Sequence, residues 1–458
     1  MGSINLTLER MSRRRALSSV AAAYVYAALL IAGPWIFTVV GLAGLSSAYC
    51  PDPCGGLVIF RSVVIYNSMS SLVLTSPLAF LCARYVSDQQ FSNRPQSVIY
   101  ALVVAFCVFG AITGVTTVPF YLWATTLEAP EQFASIQNAV LIGCSWLLIP
   151  FLGAIRRHNV VLFAFGVGSL ALIVAGERLN DPSPLELLLA FNISFTIVNA
   201  ILIGALIRQF GNAVVYDAAL SNTLRSRWEL PAAGFAYALG LWIDKIIMWF
   251  GASEGGLRVA GALQTMPSYD TPTFWAQLAS IPIIAVFFVH VETRFSTLFE
   301  GFYGRLEQHA TLRELTSSMS KLRAFVISNI VSLFVALVIV ATTAILLSFV
   351  FMNELGLRPS YMSIQRISLC TMVFHTSAML CFMFLLYFDL RYHALLVVSS
   401  HLVLNGVLTL AVLPAGPAFY GYGNMIASAL TFLLAFGLVL REIRWLHFHA
   451  FITNNTSL

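Results

Sequence analysis

Charge is what this chain has least of. Only 10% of its 458 residues are Asp, Glu, Lys or Arg, against about 25% in a soluble domain. That scarcity excludes a soluble globular protein, and the mean hydropathy of +0.84 agrees. Catalytic signatures are short as well: no HExxH and no GxxxxGK[ST] occurs, so zinc-protease and ATP-driven readings lack their parts. Segments between the apolar runs are too short for a separate enzyme domain, and neither catalysis, cofactor nor metal is expected. The net charge of +5 does not argue for nucleic acid, because basic residues in such a chain mark cytoplasmic loops.

Cysteine is sparse, at seven residues. Cys82, Cys107, Cys144, Cys370 and Cys381 fall in or beside apolar runs and read as small packing residues. Cys50 and Cys54 lie in CPDPC, a loop on the external side. A disulfide staple is one reading and a free pair the other, since two prolines restrict the geometry.

What the chain has in abundance is long apolar runs. Hydropathy predicts twelve spans, near 16–45, 58–86, 97–123, 133–154, 160–175, 185–207, 231–250, 272–291, 324–351, 363–388, 394–413 and 422–440. An even number puts both termini on one side. All but six of the 25 basic residues fall on that side. Arg178, Arg258 and Arg358 lie opposite, and Arg61, Lys245 and Arg366 lie within or at the edges of spans. The expectation is an all-α polytopic protein with cytoplasmic termini.

Six spans precede the 208–230 segment and six follow it. The expected division is an N-terminal lobe (1–207), a cytoplasmic linker (208–230) and a C-terminal lobe (231–458) around a central cavity. A shift of 211 residues places Gly33-Pro34 on Asp244-Lys245, and a helix break is expected at that proline. In the cytoplasmic segment 296–321, Phe299, Phe302, Tyr303 and Leu306 recur at helical spacing. That pattern predicts an amphipathic helix lying on the membrane, or a partner-binding face.

The seventh run, PAAGFAYALGLWIDKIIMWF (231–250), is the centre of the functional reading. Asp244 and Lys245 sit deep within it, where insertion costs about 2.5–3.5 kcal/mol per charge. Neighbours about 100° apart on a helix satisfy each other poorly, so an outside partner is expected. Function in a pathway is one reading; a structural ion pair is the other. Arg61, near the outer end of the second run, is a candidate gate partner for Asp244, with Asp270 competing for it; Arg61 snorkelling to the interface is the alternative. His375 and His401 lie within spans and raise proton coupling, beside the plainer reading of hydrogen-bonded interior histidines. Trp35, Tyr66, Tyr237, Trp242, Phe274 and Trp275 are candidate sugar-contacting rings, beside interface-belt and packing roles.

At GPWIFTVV (33–40), DKIIMWF (244–250), SYDTPTFWAQLASIPIIAVFFVHVETRF (268–295) and FDLR (388–391), the sequence resembles the PelG family of Pel exopolysaccharide exporters, within the multidrug, oligosaccharidyl-lipid and polysaccharide exporter superfamily. The resemblance spans nearly the whole chain. It implies two six-helix lobes worked by alternating access, in a bacterial inner membrane. It also implies export of an N-acetylgalactosamine-rich polymer for biofilm matrix, beside a cytoplasmic glycosyltransferase and membrane subunits that include a cyclic di-GMP receptor. A cation-coupled multidrug antiporter of the same fold and a non-transporting scaffold for a glycosyltransferase complex are the alternatives.

Overall fold

The computed structural model describes residues 17–47, 55–92, 97–155, 157–179, 182–252, 255–308, 310–350 and 362–445. The CPDPC cysteines, Cys50 and Cys54, lie outside the described residues. The chain is almost entirely helical: α1 (Leu17–Ser47), α2 (Gly55–Phe91), α3 (Val98–Pro119), α4 (Ala129–Ala154), α5 (His158–Arg178), α6 (Pro184–Phe210) and a short α7 (Ala219–Ser226) come first. After them come α8 (Glu229–Gly240), α9 (Ile243–Gly251), strands β1 (Leu257–Ala260) and β2 (Leu263–Thr265), and α10 (Pro267–His290). The last are α11 (Ser296–Glu307), α12 (Leu312–Val350), α13 (Met362–Tyr387), α14 (Arg391–Val412) and α15 (Tyr422–Arg444).

Among the described residues, ten helices are long and apolar enough to cross a membrane, and the bent pair α8–α9 makes eleven. The twelfth expected run is α1, whose segment Ala32–Leu45 is apolar but shorter. Local chemistry explains several boundaries. Three of the helices open with reciprocal capping: Glu128 with Glu131 at α4, Ser183 with Glu186 at α6, and Thr311 with Glu314 at α12. Each box satisfies backbone N–H groups that have no carbonyl one turn back. Pro34 does not break its helix as expected: α1 runs through it, and Thr38 Oγ1 donates to Pro34 O at 2.7 Å.

The helices fall into two compact units, Leu29–Pro267 and Ser268–Leu458 with Met1–Ala28. The first unit extends to Pro267 because α8 and the β-hairpin pack on α2. In that unit α2, α4 and α6 form the core. Phe60, Phe191 and Phe195 interlock there, with Phe191 stacked on Phe195 at 4.6 Å.

The second unit is built on α13, packed against α12 and α15, with α14 against α15. At its arginine-rich end Phe295 is buried among Phe299, Phe325, Phe384, Tyr387 and Phe388. The segment 296–321 is not one amphipathic helix on the membrane. It folds back at 308–311, with α11 packed on the first turns of α12, Phe302 buried, and Arg305 hydrogen-bonded to Ser318. On the same face Phe299 and Leu306 are half-buried. At 39 residues α12 is about 58 Å long, well beyond a hydrocarbon core of about 30 Å, so those first turns project from the membrane.

Helices α14 and α15 approach closely at Gly423 on α15, where a Cβ would lie 2.5 Å from the Thr409 backbone nitrogen on α14. Backbone cannot give way as a flexible side chain can. Gly423→Ala is expected to cost about 1–3 kcal/mol by overpacking. A thermal melt of the purified protein checks this, and an unchanged Tm would mean that α14 and α15 do not meet there.

Candidate functional site

The seventh run is a helix in two pieces, α8 and α9, bent by 42°. The backbone ladder that ends with Leu241 N–H on Tyr237 O resumes with Ile246 N–H on Trp242 O. Gly240, a weak helix former, closes the first piece. Asp244 stands in the first turn of the second, where a negative charge complements the helix dipole.

The break also changes the geometry of the two charges. Lys245 Nζ donates to Leu241 O at 3.2 Å and lies 3.5 Å from Asp244 Oδ1. The neighbours thus form an ion pair, contrary to the expectation that an unbroken helix would hold them apart. Asp244 is fully buried and Lys245 nearly so. The ammonium lies 5.6 Å from the centre of the Trp242 ring, within cation–π reach. Arg61 is exposed and makes no ion pair among the described residues, so the expected Arg61–Asp244 pair is not formed. Asp270 belongs to the second unit, half-buried in the first turn of α10.

Rings continue from the charges into the first unit. Trp242 lies 6.3 Å from Trp249, which stacks on Tyr66 at 4.9 Å, and Tyr66 stacks on Phe120 at 5.9 Å. Tyr66 and Trp249 are buried. The Tyr66 hydroxyl donates to Gln264 O at 2.8 Å and accepts from Gln264 N at 3.1 Å. Tyr66 therefore anchors the β-hairpin rather than offering a face to a sugar. The remaining candidates keep accessible surface: Trp35, Tyr237 beside Phe80 at 6.3 Å, and Trp242 in the first unit, and the edge-to-face pair Phe274–Trp275 at 5.9 Å in the second.

The hairpin itself has a reason to be there. Gly261 turns with φ +62°, and a Cβ on it would lie 2.6 Å from Ala124 O, while Ala262 N donates to that same oxygen at 2.8 Å. The left-handed turn brings the hairpin backbone onto the widened helical turn Phe120–Ala124 that ends α3. One match to a hydrolase pattern lies here, since GASEG (251–255) spells GxSxG. In sequence order it follows α9 and precedes β1, the reverse of the strand–turn–helix order that a nucleophile elbow requires, and Ser253 and Glu254 lie outside the described residues.

Sequence reasoning missed a buried amide network. Tyr121 Oη donates to Asn67 Oδ1 at 2.7 Å, and Asn67 Nδ2 donates to Asn138 Oδ1 at 2.9 Å. Asn138 Nδ2 passes the chain to Asn192 Oδ1 at 2.8 Å. Two turns along the same helices, Ser145 Oγ donates to Asn199 Oδ1 at 2.9 Å. The signal was present: Asn138 and Ser145 on α4 and Asn192 and Asn199 on α6 repeat at i, i+7 in apolar helices. At the arginine-rich end, the 208–230 segment is tied to α2. Asp217 accepts from Tyr85 and Gln89, and Arg227 pairs with Asp88 at 2.7 Å. Val214, Val215, Tyr216, Leu224 and Trp228 remain exposed there.

The comparisons with known proteins decide the family. A family model described as PelG, putative exopolysaccharide exporter, matches residues 1–451. The chain belongs to the PelG family. No curated protein matches it. Among solved structures, it is similar to an outward-facing multidrug resistance MATE family transporter of the MOP superfamily (TM-score 0.64, 12% identity, 97% of each chain). It is also similar to a MATE in complex with MaL6 (TM-score 0.63, 12% identity, 97% of this chain and 98% of that one). A third is a MOP superfamily transporter from Pyrococcus furiosus (TM-score 0.62, 10% identity, 97% of each chain). Identity this low speaks for fold alone. With the spans, the family makes this chain a multi-pass membrane exporter.

Two variants test the geometry. Lys245→Met strands a buried carboxylate, and breaking such a pair costs about 3–5 kcal/mol. The double variant Asp244→Asn/Lys245→Met is expected to recover part of that loss in a thermal melt. Additive losses would show that the two charges do not interact. Tyr66→Phe removes both hydroxyl bonds to Gln264, so amide exchange across 257–265 is expected to quicken; unchanged exchange would place the hairpin's anchor elsewhere.

Proposed function

We propose that this PelG-family exporter moves a Pel-type, N-acetylgalactosamine-rich polymer across the bacterial inner membrane, from cytoplasm to periplasm, for biofilm matrix. The family match over residues 1–451 is the observation that carries this reading. The proposed mechanism is alternating access of two six-helix lobes, 1–207 and 231–458, joined by the 208–230 linker.

The interior chemistry is consistent with a neutral or sparsely charged sugar chain. Half-buried rings at Trp35, Tyr237, Trp242, Phe274 and Trp275 would offer apolar faces to pyranose rings. The Asp244–Lys245 pair at the helix break would supply the polar contacts. A broken span that carries charge is a recurrent device of transporters, because it frees backbone groups and a helix end within the membrane. The exposed apolar residues of the linker, from Val214 to Trp228, would serve as a docking face for a cytoplasmic glycosyltransferase or a cyclic di-GMP receptor subunit. A cation-coupled multidrug antiporter is the second reading. What favours it is the fold likeness to multidrug transporters at 12% identity.

The test is secreted polymer from a strain lacking the gene, complemented at matched membrane levels with wild type or Asp244→Asn. Wild type is expected to restore secretion and Asp244→Asn to restore several-fold less. Equal restoration would make the pair structural only. No restoration by wild type, with drug tolerance restored instead, would favour the antiporter.

A further inference from the structure

Helix α15 is buried along one side. Ala427, Thr431, Ala435, Val439 and Glu442 recur at every third or fourth position, and the helix packs on α13 and α14. The opposite stripe is open: Ile426, Leu430, Leu433 and Gly437 are exposed, and so are Arg441 and Arg444. At 3.6 residues per turn these six positions fall within about 80° of the helix circumference.

The stripe changes character once along its length. No charged residue occurs from Tyr422 to Leu440. Arg441 stands 19 residues beyond Tyr422, about 28 Å along the helix, against a hydrocarbon core of about 30 Å. The apolar part therefore fits the bilayer, and the two guanidiniums emerge at headgroup level at the arginine-rich end. The other end differs. Phe419 and Tyr422 are exposed there, and no Asp, Glu, Lys or Arg occurs between Leu413 and Tyr422.

The two arginines are differently held. Arg441 Nε donates to buried Glu442 Oε1 at 2.7 Å, and its Nη2 lies 3.2 Å from His393 Nε2 on α14. The Arg441 side chain nevertheless keeps 63% of its surface, so the carboxylate orients the guanidinium without covering it. Arg444, one turn on, is exposed and makes no hydrogen bond or ion pair among the described residues. The acidic groups at this end are already engaged, Glu442 with Arg441 and Asp389 with Arg391 at 3.6 Å. Trp445 and Tyr392 are exposed beside these residues in the chain, and such rings settle at the membrane interface. Gly437 has nothing within 4 Å of where a Cβ would stand. It leaves a notch in the stripe about 6 Å inside Arg441.

An apolar face that ends in two guanidiniums matches one kind of molecule, with hydrocarbon chains below a negative head. The planar donor fork of arginine suits phosphate oxygens. An acidic protein partner would meet the arginines but not the stripe, which lies at bilayer depth. We propose that Arg441 and Arg444 bind the phosphate of an anionic phospholipid in the leaflet at the arginine-rich end, with its acyl chains along Gly437, Leu433 and Leu430. From Arg441 to Leu430 is 11 residues, about 16 Å, which is the depth of one leaflet of the core. The site goes beyond the exporter reading and does not depend on which polymer is moved.

Native mass spectrometry of the purified full-length protein, titrated with phosphatidylglycerol or phosphatidylcholine of matched chains, counts the bound lipid. Wild type is expected to retain phosphatidylglycerol several-fold better than phosphatidylcholine, and Arg441→Gln/Arg444→Gln to lose most of that preference. Because Arg441 also neutralises buried Glu442, Arg444→Gln is the deciding single variant. It gives up no bond within the described protein and is expected to lower phosphatidylglycerol retention at least two-fold. Unchanged retention in Arg444→Gln overturns the proposal. So does an equal fall in Arg208→Gln, which removes the same charge from the arginine-rich end of the first unit and would show general attraction rather than a site. A wild type without preference overturns it too, and leaves the arginines to an acidic protein partner. No polymer enters this count, so its outcome is separate from that of the secretion assay.

Discussion

The first unit depends on the ion pair that a broken helix makes within the span. In hydrocarbon every backbone group must find its partner inside the protein. A continuous α8–α9 would satisfy its carbonyls but hold Asp244 and Lys245 on diverging faces. The break releases Leu241 O, Lys245 Nζ bonds it, and the ammonium comes within 3.5 Å of Asp244. Helix interruption and charge burial therefore solve each other: the lysine satisfies a carbonyl that the bend exposes, and the bend places the lysine beside its counter-ion. The ring stack from Trp242 through Trp249 to Tyr66 holds both against α2.

The rest of the first unit's polarity obeys the same constraint with neutral groups. Asn67, Asn138 and Asn192 are satisfied by one another and by backbone carbonyls, including Asn67 on Ser135 O and Asn192 on Ala134 O, each at 2.9 Å. Such amides specify which helices pair and in what register, since shifting α4 against α6 by one turn would leave several buried donors and acceptors without partners. Where apolar side chains slide past one another at little cost, this ladder does not.

Much of this was legible in the sequence, and the reasons differ by element. Span positions followed hydropathy closely; the expected run 363–388 is α13 at Met362–Tyr387, and 133–154 is α4 at Ala129–Ala154. Proline misled at position 34: α1 runs through it, with Thr38 Oγ1 bonded to the proline's own carbonyl. The true break fell at Leu241–Trp242, where no proline stands, and only the energetic cost of two buried charges hinted at it. Tyr66 was assigned to sugar because rings of that type suit sugars. Its use was fixed instead by a hairpin 198 residues away, and no local pattern encodes such a distant backbone partner. In the segment 296–321 the apolar periodicity marks the face that carries buried Phe302 and half-buried Phe299 and Leu306, but periodicity reports that a face is buried, not what covers it.

The two units differ in the kind of polarity they carry. The first buries Glu229 and the Asp244–Lys245 pair together with amides that cannot change protonation. The second, among its described mid-span residues, has no permanent charge but two imidazoles in contact, in line with hydroxyl and amide groups. A permanent pair holds one arrangement through its geometry, whereas an imidazole changes its charge with the proton supply.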